Sequence, residues 1–302
     1  MQKLRRFRSM MQSCSSRDAD MDVSSPHVKD VGRVLGEGGW GKVTVGLYQG
    51  KRCAIKQMTL CGSKDEIFVR REYQLQQYVH NHLHIVKVYD LVVETSSCCI
   101  FMEYAGSKTL YDLIDGGGLD DHQRLVILDG VSDALCHMHS LGVAHMDVKA
   151  ENIVVDDENI THVRLTDMGF SCHVKCHNVF FCGTFGYCAP EIMTSDMRGL
   201  SPAHADVWSF GVLTIALFYG VLPFSVTDTN ESEPFSKFAL YQQSSNRCLP
   251  SVCINLSYSP PPFQWNETVQ HIVDSCLWMS WERRLSMQQV RSVVLLKLSS
   301  DY

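Results

Sequence analysis

Apolar positions change rhythm along this chain. Residues 31 to 58, which include VLGEGGWGKVTVGLYQGKRCAIKQM, alternate apolar and β-branched residues with glycines, the period-two pattern of hairpin-connected strands. From 65 to 80 (DEIFVRREYQLQQYVH), Ile67, Arg71, Leu75 and Tyr78 recur at helical spacings behind two acids, which predicts a helix. Two further strands are expected near 85 to 93 and 98 to 103. From Leu110 the pattern turns helical, over 122 to 140, 207 to 221, 268 to 278 and 286 to 297. Residues 224 to 264 are polar and end in Ser259, Pro260, Pro261 and Pro262, and read as loop with one short helix inside. Strands first and helices second predict an α+β protein: a small sheet-rich lobe over about 30–103, a joint at about 103–108 and a larger helical lobe over about 109–298. Residues 1–29 read as a tail.

Composition narrows the class. The chain has 302 residues, 45% hydrophobic and 20% charged, close to soluble globular averages and unlike disordered, collagen-like or membrane-bundle sequences. A net charge of -6 supplies no basic field over the whole molecule, so nucleic acid is not an expected partner. The tail differs: Lys3, Arg5, Arg6, Arg8 and Arg17 precede any acid, a charge suited to anionic lipid or to phosphorylation at Ser9. A plain disordered tail and an Arg- and Ser-rich transit peptide are both open readings of it. Thirteen cysteines in a long chain without a signal-peptide pattern point to reduced thiols in the cytoplasm, with the nucleus as the alternative. The apolar run from Val207 to Phe224 carries Ser209, Gly211, Thr214, Tyr219 and Gly220, so it reads as a buried core helix rather than a membrane span. A monomer is expected, with Pro260 to Pro262 a candidate adaptor contact in extended form.

Four stretches carry candidate chemistry. Gly36, Gly38 and Gly41 in LGEGGWGKV let backbone N–H groups approach a phosphate, because no side chain intervenes. The pattern lies between strand-like runs and leads into no helix, which disfavours dinucleotide binding and suits a loop over ATP; a ligand-free hairpin is the alternative. Lys56 closes CAIK on a strand, and Glu72 on the following helix can partner it. HMDVKAEN (145–152) supplies Asp147 to accept a hydroxyl proton, Lys149 to neutralise charge on a transferred phosphoryl group and Asn152 to bind magnesium through its amide oxygen. Asp167 in LTDMGF follows a second strand-like run, so a hairpin could bring it beside Asp147 as a hard oxygen ligand.

Glycine loop, CAIK, Glu72, HMDVKAEN, DMG at 167–169, GTFGYCAPE at 183–191 and DVWSFGV at 206–212 together resemble the eukaryotic protein kinase family, from about residue 30 to 297. The resemblance implies a bilobal kinase fold and Mg-ATP-dependent phosphorylation of protein hydroxyls. It makes Asp147 the base, Asn152 and Asp167 the magnesium ligands, and Lys56 with Glu72 the phosphate-anchoring pair. Leu35, Gly36, Glu37, Gly38, Gly39, Trp40, Gly41, Lys42 and Val43 would cover the nucleotide. Its adenine would lie between Val43 and Ala54 on one side and Val154 on the other, with Met102 behind and the Glu103 to Ala105 backbone hydrogen-bonding the base. Glu191 would pair with Arg283 or Arg284, and Asp206 would underlie the catalytic loop. Lys149 and Thr184 are similar to the serine/threonine members. KVYDLVVET and FMEYAGSKTLYDLI resemble the Src-homology-3-domain-binding kinases in particular.

The chain departs from that pattern in four places. Met146 replaces the arginine that grips an activation-segment phosphate, and the segment from Cys172 to Gly183 has no Ser, Thr or Tyr, so activity independent of phosphorylation there is expected. Met168 replaces Phe, and Gln76 occupies an ordinarily apolar position, where a buried amide needs partners. The competing reading is a catalytically idle kinase-fold scaffold that binds nucleotide or partners. Zinc at His80, His82 and His84, or at Cys172, His173, Cys176, His177 and Cys182, is disfavoured because neither group has paired Cys-x-x-Cys spacing.

Overall fold

The computed structural model describes residues 28–38, 41–175, 183–193, 201–225, 232–244, 249–258 and 262–300, the side chains of 28–31 and 300 excepted. The basic tail with Ser9, together with Gly39, Trp40, Cys176, His177, Cys182, Pro260 and Pro261, lies outside the described residues. The chain divides into two compact units, one formed by residues up to 80 and 86–105, the other by 81–85 and 106 onward.

The first unit is built on five antiparallel strands, β1 (Val28–Gly38), β2 (Gly41–Tyr48), β3 (Lys51–Thr59), β4 (Val88–Val93) and β5 (Ser97–Glu103), in the order β1-β2-β3-β5-β4. Strand alternation sends Cys53, Ile55, Cys99 and Phe101 to one face, where Tyr48 and Val92 complete a core cluster. Ala54, Lys56 and Met102 fall on the other face. The turn into β2 requires glycine at position 41: φ is +125°, and a Cβ there would stand 2.0 Å from the Gln57 carbonyl oxygen. Helix α1 (Ser63–Val79) follows β3.

Periodicity located α1, but its buried face is not the one the apolar spacing suggested. Ile67 and Tyr78 are 65% and 59% exposed, whereas Val69, Glu72, Gln76 and Val79 are buried. Two polar residues hold the inward positions, so a reading that seeks apolar residues inside misses the face. The strand expected from 85 begins at Val88; Ile85 belongs to the second unit, where it bridges Leu165.

In the second unit, β6 (Lys108–Thr109) leads into α2 (Leu110–Gly116), and α3 (Asp121–Ser140) follows. Both helices open on reciprocal capping boxes, Thr109 with Asp112 and Asp120 with Gln123, which satisfy otherwise orphaned backbone N–H groups. Then come β7 (Val143–Ala144), a single 3-10 turn at Ala150–Asn152, the hairpin of β8 (Ile153–Val155) and β9 (Val163–Leu165), and β10 (Cys172–His173) paired with β7. After the short α4 (Pro190–Met193), α5 (Pro202–Tyr219) is buried along nearly its whole length, which explains its largely apolar run. Among the described residues no helix is long and apolar enough to cross a membrane.

Among the described residues of 224–264 there are two helices where one was expected, α6 (Glu233–Ser244) and α7 (Pro250–Ser257). Phe235, Phe238 and Ala239 bury one face of α6, and both phenylalanines meet Trp208 and Phe224 edge-on or tilted. Each helix is short and polar stretches flank it, so the helical period was hidden. Helices α8 (Glu267–Cys276) and α9 (Met287–Ser300) close the unit.

Candidate active site

The first unit carries the glycine hairpin and an ion pair. In the hairpin, Gly36 pairs with Val43, Glu37 with Lys42 and Gly38 with Gly41. Gly36, Glu37 and Gly38 are exposed, and no atom stands within 4 Å of where a Cβ would be at Gly36 or Gly38, so the backbone presents open space. Leu35 is half-buried on the same strand. Across the sheet Val43 faces Lys56, and Ala54 pairs with Met102. Lys56 and Glu72 are both buried, and Lys56 Nζ lies 2.6 Å from Glu72 Oε1. The Glu103 N–H donates to the Lys87 carbonyl at 2.8 Å, and Ala105 is buried at the end of that segment.

One turn beyond Glu72, Gln76 is fully buried. Its Nε2 donates to the Val86 carbonyl at 3.2 Å and stands 3.7 Å from Met102 Sδ, while its Oε1 accepts no hydrogen bond among the described residues.

In the second unit, Asp206 fixes the loop that carries Asp147. Its carboxylate is fully buried; Oδ2 accepts from the His145 N–H at 2.8 Å and Oδ1 from the Met146 N–H at 2.7 Å. His139 Nε2 meets Oδ2 at 2.8 Å. These bonds hold Met146 at φ +68°, a left-handed conformation that costs a non-glycine residue about 1–3 kcal/mol. The loop then turns so that Asp147, buried itself, collects three donors. Asn152 Nδ2 reaches Oδ2 at 3.0 Å and the Asp147 carbonyl at 2.9 Å, Lys149 Nζ lies 2.7 Å from Oδ2, and Thr184 Oγ1 donates to Oδ1 at 2.8 Å. Lys149 Nζ also donates to Thr184 Oγ1 at 2.7 Å, closing a ring of three side chains.

The β8–β9 hairpin brings Asp167 to the same region. Thr166 N–H donates to the Asn152 carbonyl at 3.0 Å, and His145 Nε2 meets the Thr166 carbonyl at 3.0 Å. Asp167 itself has φ +67°, and its Oδ1 accepts from the Gly169 N–H at 3.3 Å. Val154 is half-buried in β8, opposite Thr109. Met168 is buried and lies 3.3 Å from Ser171 Oγ. Tyr187 packs beneath the loop; burial, and next the Glu151 charge, push its hydroxyl far above the ordinary range.

Arg284, rather than Arg283, pairs with Glu191, through bidentate bonds of 2.6 and 2.7 Å. Its Nε donates to the Trp278 carbonyl, and Arg283 instead lies 3.6 Å above the Trp278 ring. Three residues of the catalytic-loop frame escaped the sequence reading as contacts: His139, His145 and Thr184 as a bridge to Asp147. Their sequence signal is position alone, since nothing in residue type distinguishes His139 from its neighbour His137. The histidines at 80, 82 and 84 have separate protein partners: His80 Nδ1 accepts from the Val88 N–H, His82 Nε2 lies 3.4 Å from Asp133, and His84 Nδ1 meets the Val163 carbonyl. Among the described residues no group of three or more His, Cys, Asp or Glu stands close enough to hold a metal.

Residues 30–295 match the family model described as protein kinase domain. The chain is 32% identical over 242 residues to hormonally up-regulated neu tumor-associated kinase homolog A of Xenopus laevis, covering 75% of this chain and 33% of that protein. It is 31% identical to mouse NUAK family SNF1-like kinase 1, covering 67% and 31%, and 32% identical to mouse serine/threonine-protein kinase SBK1, covering 72% and 54%. The chain therefore corresponds to less than two thirds of these relatives' length. The match over residues 30–295 places the chain in the protein kinase family.

Proposed function

We propose that this chain transfers the γ-phosphoryl group of Mg-ATP to serine or threonine hydroxyls of protein substrates. The observation that carries the reading is the closed ring of Asp147, Lys149 and Thr184 with Asn152 attached to it. Each carboxylate oxygen has two lone pairs. Oδ2 of Asp147 already takes Lys149 and Asn152, whereas Oδ1 takes Thr184 alone among the described donors, so Oδ1 is the atom that accepts the substrate hydroxyl proton. Lys149 offsets charge on the phosphoryl group in flight and stays anchored through Thr184.

Lys56, held by Glu72, is the group for the α- and β-phosphates, and the open backbone at Gly36 to Gly38 suits their approach. The metal fits the donor chemistry available. With Asn152 Nδ2 committed to Asp147, its amide oxygen is the remaining donor, and Asp167 adds a carboxylate, both hard oxygen ligands suited to magnesium. Magnesium, when bound, neutralises phosphate charge; the protein's own residues orient the reactants and take the proton.

The substrate class is tested by incubating the protein with radiolabelled ATP and a mixed protein substrate, then hydrolysing the product in acid. Label on phosphoserine or phosphothreonine supports the reading. Label on phosphotyrosine alone, or nucleotide binding with no transfer, supports a different acceptor or the idle scaffold.

A further inference from the structure

Helix α1 buries a polar residue that nothing in the phosphate-anchoring pair requires. Gln76 stands one turn after Glu72 on the same face, fully excluded from water, with one half of its amide tied to the Val86 carbonyl and the other half without a donor among the described residues. Burying an amide with an unmet acceptor costs about 1–3 kcal/mol, so an apolar side chain would fill the same space more favourably. What the amide adds is direction. Turning a helix by 20° moves side-chain atoms about 5 Å from its axis by about 2 Å, and apolar contacts, being non-directional, specify that angle less sharply than a hydrogen bond does. The same shift breaks a hydrogen bond of 3.2 Å and separates Glu72 from Lys56, which are 2.6 Å apart.

We propose that Gln76 is a positioning residue. Its bond to Val86, at the entry to β4, fixes the rotation of α1 that holds Glu72 against Lys56 on β3. The face of α1 is thus pinned at two polar points one turn apart, one on β3 and one on the segment entering β4, with Val69 and Val79 supplying the apolar contact on either side. The stability given up at the unmet Oε1 is exchanged for a single orientation of the helix. The inference rests on the reading of Lys56 as the phosphate anchor.

The test measures binding of Mg-ADP and of adenosine, which lacks phosphates, to wild type, Gln76→Leu, Glu72→Gln and the double variant. Gln76→Leu is expected to weaken Mg-ADP binding by about three- to tenfold and leave adenosine binding unchanged. The double variant is expected to bind Mg-ADP no more weakly than Glu72→Gln, because Gln76 acts through Glu72. A residue that merely supports the fold would weaken both ligands and lower the melting temperature. Gln76→Met, of similar length, takes the place of the leucine variant if that one fails to fold. Unchanged or tighter Mg-ADP binding in both apolar variants overturns the proposal, as does an additive double variant. If wild type binds Mg-ADP with these dependences but transfers no phosphate, the transferase reading fails while the role of Gln76 stands. Wild type that binds neither ligand overturns both.

Discussion

Thr184 donates its hydroxyl hydrogen to Asp147 Oδ1 at 2.8 Å, joining two residues 37 positions apart in the chain. Because Thr184 Oγ1 also accepts from Lys149 Nζ, the hydroxyl sets both the carboxylate plane and the ammonium position. Thr184→Val keeps the shape and removes both bonds. A bond to a charged group is worth about 1.5–3 kcal/mol, so kcat is expected to fall by about ten- to a hundredfold with little change in KM for ATP. Thr184→Ser, which keeps the hydroxyl, should retain most of the activity. Steady-state kinetics on the three proteins decide it, and equal kcat for valine and serine would sink the bridging role.

Arg284 and Arg283 are neighbours with opposite expected consequences. Arg284→Met leaves Glu191 with a largely buried charge and no bidentate partner, a loss of about 3–5 kcal/mol. Arg283→Met removes an exposed contact with Trp278, worth about 0.5–1 kcal/mol. Thermal denaturation of both variants checks the order; similar losses would contradict the pairing.

The fold was legible wherever local pattern and burial agree. Alternating residues in β3 and the largely apolar run of α5 signal their elements because ordinary apolar burial shapes both. Helix α1 was found but its inner face was not, since that face buries Glu72 and Gln76, whose polar partners on Lys56 and Val86 leave no apolar signal in the sequence. Helices α6 and α7 were hidden by short length and polar neighbours. The meeting of Asp147, Lys149 and Asn152 was legible because their residue types and spacing in HMDVKAEN suggest one cluster, and their chemical roles remain part of the proposal. Asp206 was placed by resemblance alone; its two bonds to backbone N–H groups are invisible in a sequence, where it is one acid among many.

His82 gives the fold a dependence on acidity. Burial, the largest influence, lowers its pKa below the ordinary value of 6.5, with Asp133 opposing and His137, His84 and Arg291 reinforcing the effect. Its Nδ1 accepts from the His84 N–H and its Nε2 faces Asp133, so the neutral ring is the one that fits. A group that binds its proton more weakly when folded contributes stability above the unfolded pKa. That contribution falls away as pH drops from about 6.5 toward the folded value. Denaturant midpoints at about pH 7.5 and about pH 5.5 should therefore differ more for wild type than for His82→Asn. Identical pH slopes would contradict this assignment.

Met146 leaves the catalytic loop without a guanidinium, and its backbone is held instead by Asp206. A thioether forms no charge-assisted bonds to a phosphate. Treatment of purified protein with a broad phosphatase is expected to leave most activity in place. Loss of most activity on that treatment, without mapping to another site such as Ser9, would contradict that expectation, and a loss mapping to Ser9 would implicate the tail.

The most direct measurement compares phosphate transfer from radiolabelled ATP by wild type and by Asp147→Asn, purified side by side and matched for folding by melting temperature. The asparagine keeps the size of the side chain and most of its hydrogen bonds but cannot take up the hydroxyl proton. Transfer by wild type with a loss of at least about a hundredfold in the variant is the expected result. Equal incorporation by the two proteins, or none by either, would contradict the assignment of Asp147 as the catalytic base.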